Sequence, residues 1–134
     1  MKIFLDANIL FSAAKRGSAM SHFVKYLSQN HIVITSDYAQ QEADRNIAAK
    51  REEWQLDYKQ ILKLIQIVPS VDRQIQVKIA DKDRPILATA IVQECNYLIT
   101  GDKRDFGHLF GHVIDNVKIA TPLMMEDALK KLRH

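Results

Sequence analysis

Lys2-Ile3-Phe4-Leu5-Asp6 opens the chain with an apolar run that stops on an acid. Successive residues of a strand face opposite sides, so a run without polar alternation reads as a strand covered on both faces, as in parallel sheets. Tyr97-Leu98-Ile99-Thr100-Gly101-Asp102 repeats the arrangement and again ends on an acid. Further β-branched runs lie at 32–34, 65–68 and 117–120. The run at 65–68 also continues a helical pattern before Pro69 stops it.

Helical patterns separate these runs. The spacing predicts short helices over 8–15 and 18–29, divided by Gly17, and a long polar helix over 37–51. Trp54, Tyr58, Ile61, Leu62 and Ile65 recur with a period near 3.6, which predicts a helix over 54–65. Pro85 sits in the first turn of an apolar helix over 85–94, and a last helix covers 123–132. Strands alternating with helices predict an α/β domain with a mostly parallel sheet and right-handed crossovers. In such sheets ligands bind beyond the carboxyl ends of the strands, where the strand order reverses.

At 134 residues the chain has the size of one domain, 1–134, able to bury a core without staples. Its 47% hydrophobic and 26% charged residues are ordinary for a water-soluble protein. The single cysteine, Cys95, excludes an intrachain disulfide and fits a cytoplasmic location. Asp6 cuts the first apolar run too short for a signal peptide, and no run is long enough to span a bilayer, so no membrane role is expected. The net charge of +3 is compatible with a polyanionic partner and equally with none.

The chemistry to look for is carried by acids. Asp6 and Asp102 follow strands and so reach one edge of the sheet. Glu42 lies one turn into the helix that starts near Asp37, and Asp83 precedes the Pro85 helix. Four carboxylates in one cleft repel each other and cost stability unless a cation neutralises them. An all-oxygen set suits Mg²⁺ or Mn²⁺ better than Zn²⁺, and such an ion can activate water against a phosphate. Taken singly, each acid has a plain structural use. Asp6 or Asn8 can cap the first helix, Asp83 can cap the Pro85 helix, Glu42 can be a solvated face residue, and Asp102 can be a turn residue after Gly101. Their convergence at one sheet edge is what favours a site.

Four blocks of the chain resemble the PIN-domain family, in family order and over nearly its whole length. They are Lys2-Ile3-Phe4-Leu5-Asp6-Ala7-Asn8-Ile9-Leu10, Thr35-Ser36-Asp37-Tyr38 through Glu42 with Asn46 one turn on, Lys82-Asp83-Arg84-Pro85-Ile86-Leu87-Ala88-Thr89-Ala90, and Tyr97-Leu98-Ile99-Thr100-Gly101-Asp102-Lys103-Arg104-Asp105-Phe106-Gly107. The last two blocks at this separation are the most specific part. The likeness is to VapC-like toxin components. It implies a three-layer α/β/α fold and Mg²⁺- or Mn²⁺-dependent hydrolysis of RNA phosphodiester bonds. Asp6, Glu42, Asp83 and Asp102 would form the catalytic and metal-binding quartet. Asp105 matches a further acid, and Asn8 and Thr100 match polar residues that orient the acids. Asp81 also precedes the Pro85 helix, but Asp83 adjoins Arg-Pro-Ile-Leu as in the family pattern. Asp6 and Asp102 would carry the principal metal, Asp83 would complete its shell, and Glu42 would take a second metal or position water. The resemblance further implies a protein antitoxin and a homodimer. The alternatives are a housekeeping RNA-processing nuclease and a non-catalytic RNA- or protein-binding module. The intact quartet argues against the non-catalytic module.

Lys103 and Arg104 are candidate contacts to RNA phosphate, with Lys15, Arg16, Lys50 and Arg51 as more distant ones. His108 and His112, four apart, suggest zinc, but Gly107 and Gly111 disfavour a regular helix and no further His or Cys lies nearby. Cys95 reads as a small core residue, and Trp54 and Tyr58 as packing residues rather than a stacking platform for bases. Lys130, Lys131 and Arg133 complement the dipole of the last helix. No Gly-rich phosphate loop and no Asp-x-Asp motif after the first strand are present, which argues against nucleotide-cofactor and aspartyl-phosphate chemistry.

Overall fold

The computed structural model describes residues 1–132; Arg133, one of the C-terminal basic residues above, lies outside them. The chain runs β1 (Lys2–Leu5), α1 (Ala7–Ala13), α2 (Ala19–Asn30), β2 (Ile32–Ser36), α3 (Asp37–Lys50), a 3₁₀ turn (Glu52–Trp54), α4 (Gln55–Leu62) and β3 (Gln66–Val68). It continues with α5 (Arg84–Val92), β4 (Tyr97–Ile99), α6 (Lys103–Phe106), a 3₁₀ turn (Gly107–Leu109), β5 (Val113–Ile114), β6 (Val117–Ala120) and α7 (Pro122–Leu132).

One six-stranded sheet has the order β3-β2-β1-β4-β6-β5. All pairings are parallel except β5 with β6. Ile3 faces Val33 on one side and Tyr97 on the other, which places β1 in the middle. Ile3, Phe4 and Leu5 are each 0% exposed. Because neighbours in a strand point to opposite faces, both faces of β1 must be covered, and the architecture is the expected α/β/α sandwich.

The local signals act as their chemistry dictates. The Ser18 and Ser36 hydroxyls cap α2 and α3 by accepting the Ser21 and Ala39 amides. Gly17, at φ +75, makes the break between α1 and α2. The helix expected over 54–65 is shorter. Trp54 belongs to the 3₁₀ turn, α4 ends at Leu62, and the chain enters β3 after Ile65. Val113–Ile114 was not anticipated as a strand. It forms a hairpin with β6 through Asp115 and Asn116, both at positive φ, the backbone that a two-residue loop needs to match strand twist. A short α6 also forms just after Asp102. No helix among the described residues is long and apolar enough to cross a membrane.

Candidate active site

The strand order turns back between β1 and β4. From β1 the chain steps outward through β2 and β3, and from β4 it steps the other way to β6 and β5. Asp6 and Asp102 lie just beyond the carboxyl ends of these two adjacent strands. The Asp6 amide donates to the Ile99 carbonyl at 3.0 Å, so the β1–β4 ladder runs up to the acid itself.

Asp6 is 4% exposed and both oxygens of its carboxylate accept hydrogen bonds. Oδ1 accepts the Ala7 amide at 2.7 Å, and Oδ2 accepts the Thr100 hydroxyl at 2.8 Å and Asn8 Nδ2 at 3.1 Å. Asn8 also donates to Thr100 Oγ1 at 3.2 Å, while its Oδ1 accepts the Gly101 amide at 2.8 Å. A Cβ at residue 101 would stand 3.4 Å from that Oδ1, so glycine leaves room for the amide to close in. Burial pushes the Asp6 carboxyl up to about 6; the Thr100 and Ala7 donors oppose this, and the Glu42 and Asp102 charges add to it.

Asp102 caps α6, its Oδ1 accepting the Asp105 amide at 3.0 Å, while its own amide donates to Thr100 Oγ1 at 3.1 Å. Asp83 stands at the N-cap position of α5 yet makes no capping bond. Its Oδ2 is buried without a hydrogen-bond partner. Burial pushes the Asp83 carboxyl up to about 6, with Asp105 and Asp6 adding to the rise and Lys82 opposing it. Oxygens of Asp83, Asp102 and Asp105 lie within 4.8 Å of one another, the tightest grouping of the acids expected from the sequence. No other His, Cys, Asp or Glu group among the described residues has metal-holding geometry.

A concavity of about 120 Å³ is lined by Asp6, Ala7, Asn8, Glu42, Asn46, Lys82, Asp83 and Asp102. The structure therefore brings together all four acids of the expected quartet, with Asp105 beside them. Glu42 differs from the others in being exposed, on the α3 side of the concavity. Asp81 is exposed and pairs with Arg84 Nη1 at 2.8 Å, while Asp83 is the acid of this segment that lines the concavity. Lys103 and Arg104 are exposed on α6 and do not line the concavity. Arg16 pairs with Asp57 at 3.6 Å, and Arg51 lies over the Trp54 ring at 5.3 Å. His108 Nε2 lies 2.6 Å from the Lys78 carbonyl and joins no metal group.

Sequence reading missed Lys82. Its ammonium sits 2.6 Å from Asp105 Oδ2 and 3.5 Å from Asp83 Oδ2. The Asp105 ion pair holds Lys82 protonated well above its usual range and holds the Asp105 carboxyl below its own. The alternation Asp81-Lys82-Asp83 carried a faint signal, a cation between two acids, but nothing in it told which acid the cation would meet. Tyr38 was passed over too; its hydroxyl donates to the Lys82 carbonyl at 2.6 Å.

No family model matches the chain, and no curated protein matches its sequence. Solved structures do. A chain of the VapBC2 complex of Rickettsia felis, bound to a promoter DNA fragment, superposes with a TM-score of 0.66 at 17% identity, over 90% of this chain and 98% of that one. The FitAB structure bound to IR36 DNA gives a TM-score of 0.60 at 18% identity, over 90% of this chain and 94% of that one. VapC20 of Mycobacterium tuberculosis, a toxin that cleaves the sarcin–ricin loop, gives 0.57 at 13% identity, over 84% and 98%. The fold is that of the PIN domain. Within it, the acids of this PIN-like chain gather where the central strands end.

Proposed function

We propose that this chain is a metal-dependent ribonuclease that hydrolyses RNA phosphodiester bonds in the cytoplasm, as the toxin of a toxin–antitoxin pair. The observation that carries the reading is Asp83 Oδ2, buried without a donor, facing Asp102 and Asp105. A buried carboxylate oxygen without a donor is costly, and a divalent cation is the partner that would satisfy it. Hard carboxylate oxygens, with no imidazole or thiolate of the described residues grouped with them, fit Mg²⁺ or Mn²⁺.

Asp83 and Asp102 would hold the ion with Asp105, and Asp6 and Glu42 would reach it directly or through water. A bound Mg²⁺ or Mn²⁺ supplies activation of water and neutralisation of charge on the phosphate. Asp6 stays in one orientation because Ala7, Asn8 and Thr100 donate to it, which leaves one acceptor position on Oδ1 for the ion or its water. Glu42, free of hydrogen-bond partners and exposed, would position the attacking water. Lys103 and Arg104 would meet phosphates outside the cleft. An antitoxin is suggested by the two-protein complexes among the structural neighbours, and the toxin role by VapC20.

The test incubates purified protein with structured and single-stranded RNA in Mn²⁺, Mg²⁺ or EDTA. The Asp6→Asn, Asp102→Asn double variant excludes contaminating nuclease. Cleavage that needs metal and disappears in the variant is the expected result. Full cleavage by the folded variant would sink the assignment. Growth arrest on expression, abolished by the same double substitution, is expected if the nuclease is a toxin.

A further inference from the structure

Among the described residues, Lys82 is the only cation lining the acidic concavity. Its ammonium contacts Asp105 at 2.6 Å and approaches Asp83 at 3.5 Å, and both acids belong to the group with mutually close oxygens. It thus stands among the oxygens that a divalent ion would use. The pairing is uneven, one short contact and one long one that leaves Asp83 Oδ2 without a hydrogen bond.

The base of the side chain is fixed. Tyr38 holds the Lys82 carbonyl at 2.6 Å, and the following amides of Asp83 and Arg84 donate to the Ala80 carbonyl at 2.9 and 3.1 Å. The side chain itself is 64% exposed, so its head has open space to move into. A lysine carries a compact, strongly hydrated charge on a flexible stem and exchanges partners readily. Arg84, two residues on, is the contrast: its planar head grips Asp72 through two nitrogens, at 2.7 and 3.2 Å, and Asp81 at 2.8 Å. The chain fixes a fork where it needs a clamp, and places a point charge where the acids converge.

We propose that Lys82 is a tethered counter-ion that shares the Asp83 and Asp105 oxygens with the divalent metal, so that metal entry displaces its ammonium into solvent. Lys82 is then a positioning residue. In the metal-free protein it keeps the mutually repelling acids in place, and it sets how tightly the metal binds. This rests on the metal-site reading above and adds a named competitor to it.

The test measures Mn²⁺ binding to the full chain by calorimetry, for the wild type, Lys82→Met and Lys82→Arg. Lys82→Met should bind Mn²⁺ more tightly by on the order of ten-fold, because no resident charge opposes entry. Its metal-free form should melt at a lower temperature, because the acids have lost their counter-charge. Lys82→Arg, which restores the charge, should bind closer to the wild type. A second readout needs no variant to fold well. In wild-type protein with ¹³C-methylated lysines, a modification that keeps the charge, Mg²⁺ should shift the Lys82 resonance more than those of lysines outside the concavity. Unchanged affinity in Lys82→Met, or a Lys82 resonance that does not move while metal binds, overturns the inference and leaves the nuclease reading standing. No Mn²⁺ binding by any of the three proteins overturns both.

Discussion

The Thr100 hydroxyl donates to Asp6 Oδ2 at 2.8 Å and at the same time accepts the Asp102 amide at 3.1 Å. One buried side chain at the end of β4 therefore fixes the acids that follow both central strands. Thr100→Val keeps the shape and removes the hydroxyl. It should cost about 1–3 kcal/mol in urea denaturation, because a buried acceptor and a donor lose a partner. Metal-dependent cleavage should fall by roughly 10- to 100-fold, the usual effect of removing a group that orients a ligand. A variant with wild-type cleavage would mean that Asp6 does not need Thr100 to hold its orientation.

Burial pushes the Asp6 carboxyl up to about 6, so its contribution to metal-free stability has a definite sign. Between about pH 4 and pH 6 the folded chain binds a proton at Asp6 that the unfolded chain has released. Stability contributed by this group is thus present at low pH and is lost as pH rises through the folded value. A rise of this size corresponds to about 3 kcal/mol. Asp83 is likewise pushed up to about 6, so the comparison must isolate Asp6. In EDTA, Asp6→Asn should gain on the wild type as pH increases across that window. A stability gap that stays flat with pH would show that the Asp6 carboxyl is not raised.

Much of this was legible before the fold was seen. Ile3-Phe4-Leu5 and Tyr97-Leu98-Ile99 announced central strands because neither run alternates, and the acids after them marked one edge of the sheet. The Asp102 turn and the Asp83 helix start were visible as strings, but which acids come closest was not. That depends on Lys82 and on the reach of Asp105 from α6, contacts across 23 residues that no local pattern encodes. The shorter α4 has a local cause, since Trp54 and Ile65 keep the helical period without keeping helical backbone. The β5 hairpin was readable and was missed: Asp115-Asn116 between two β-branched runs is a two-residue turn signal. It yields its own test. Asn116 sits at φ 72, where a β-branched residue is strained. Asn116→Val should cost about 1–3 kcal/mol in urea denaturation, and Asn116→Gly should be near neutral. Equal stability of all three proteins would show that the turn does not constrain the hairpin.

Asp83→Asn should move stability and metal response in opposite directions. Asp83 is 8% exposed, makes no capping bond to α5 and leaves Oδ2 without a donor, so its charge strains the metal-free fold. Lys82 at 3.5 Å offsets only part of that strain. The neutral amide removes the buried charge, and the metal-free protein near neutral pH should gain roughly 1 kcal/mol, a few degrees in melting temperature. The wild type should gain further stability on adding Mn²⁺ or Mg²⁺, because a ligand that binds only the folded state stabilises it by mass action. Asp83→Asn should lose most of that gain, and its cleavage with it. Melting curves with EDTA and with Mn²⁺ separate the effects in one experiment. If the variant were less stable without metal and just as responsive to it, Asp83 would be an ordinary structural acid, and any ion would be held without it, by Asp102 and Asp105.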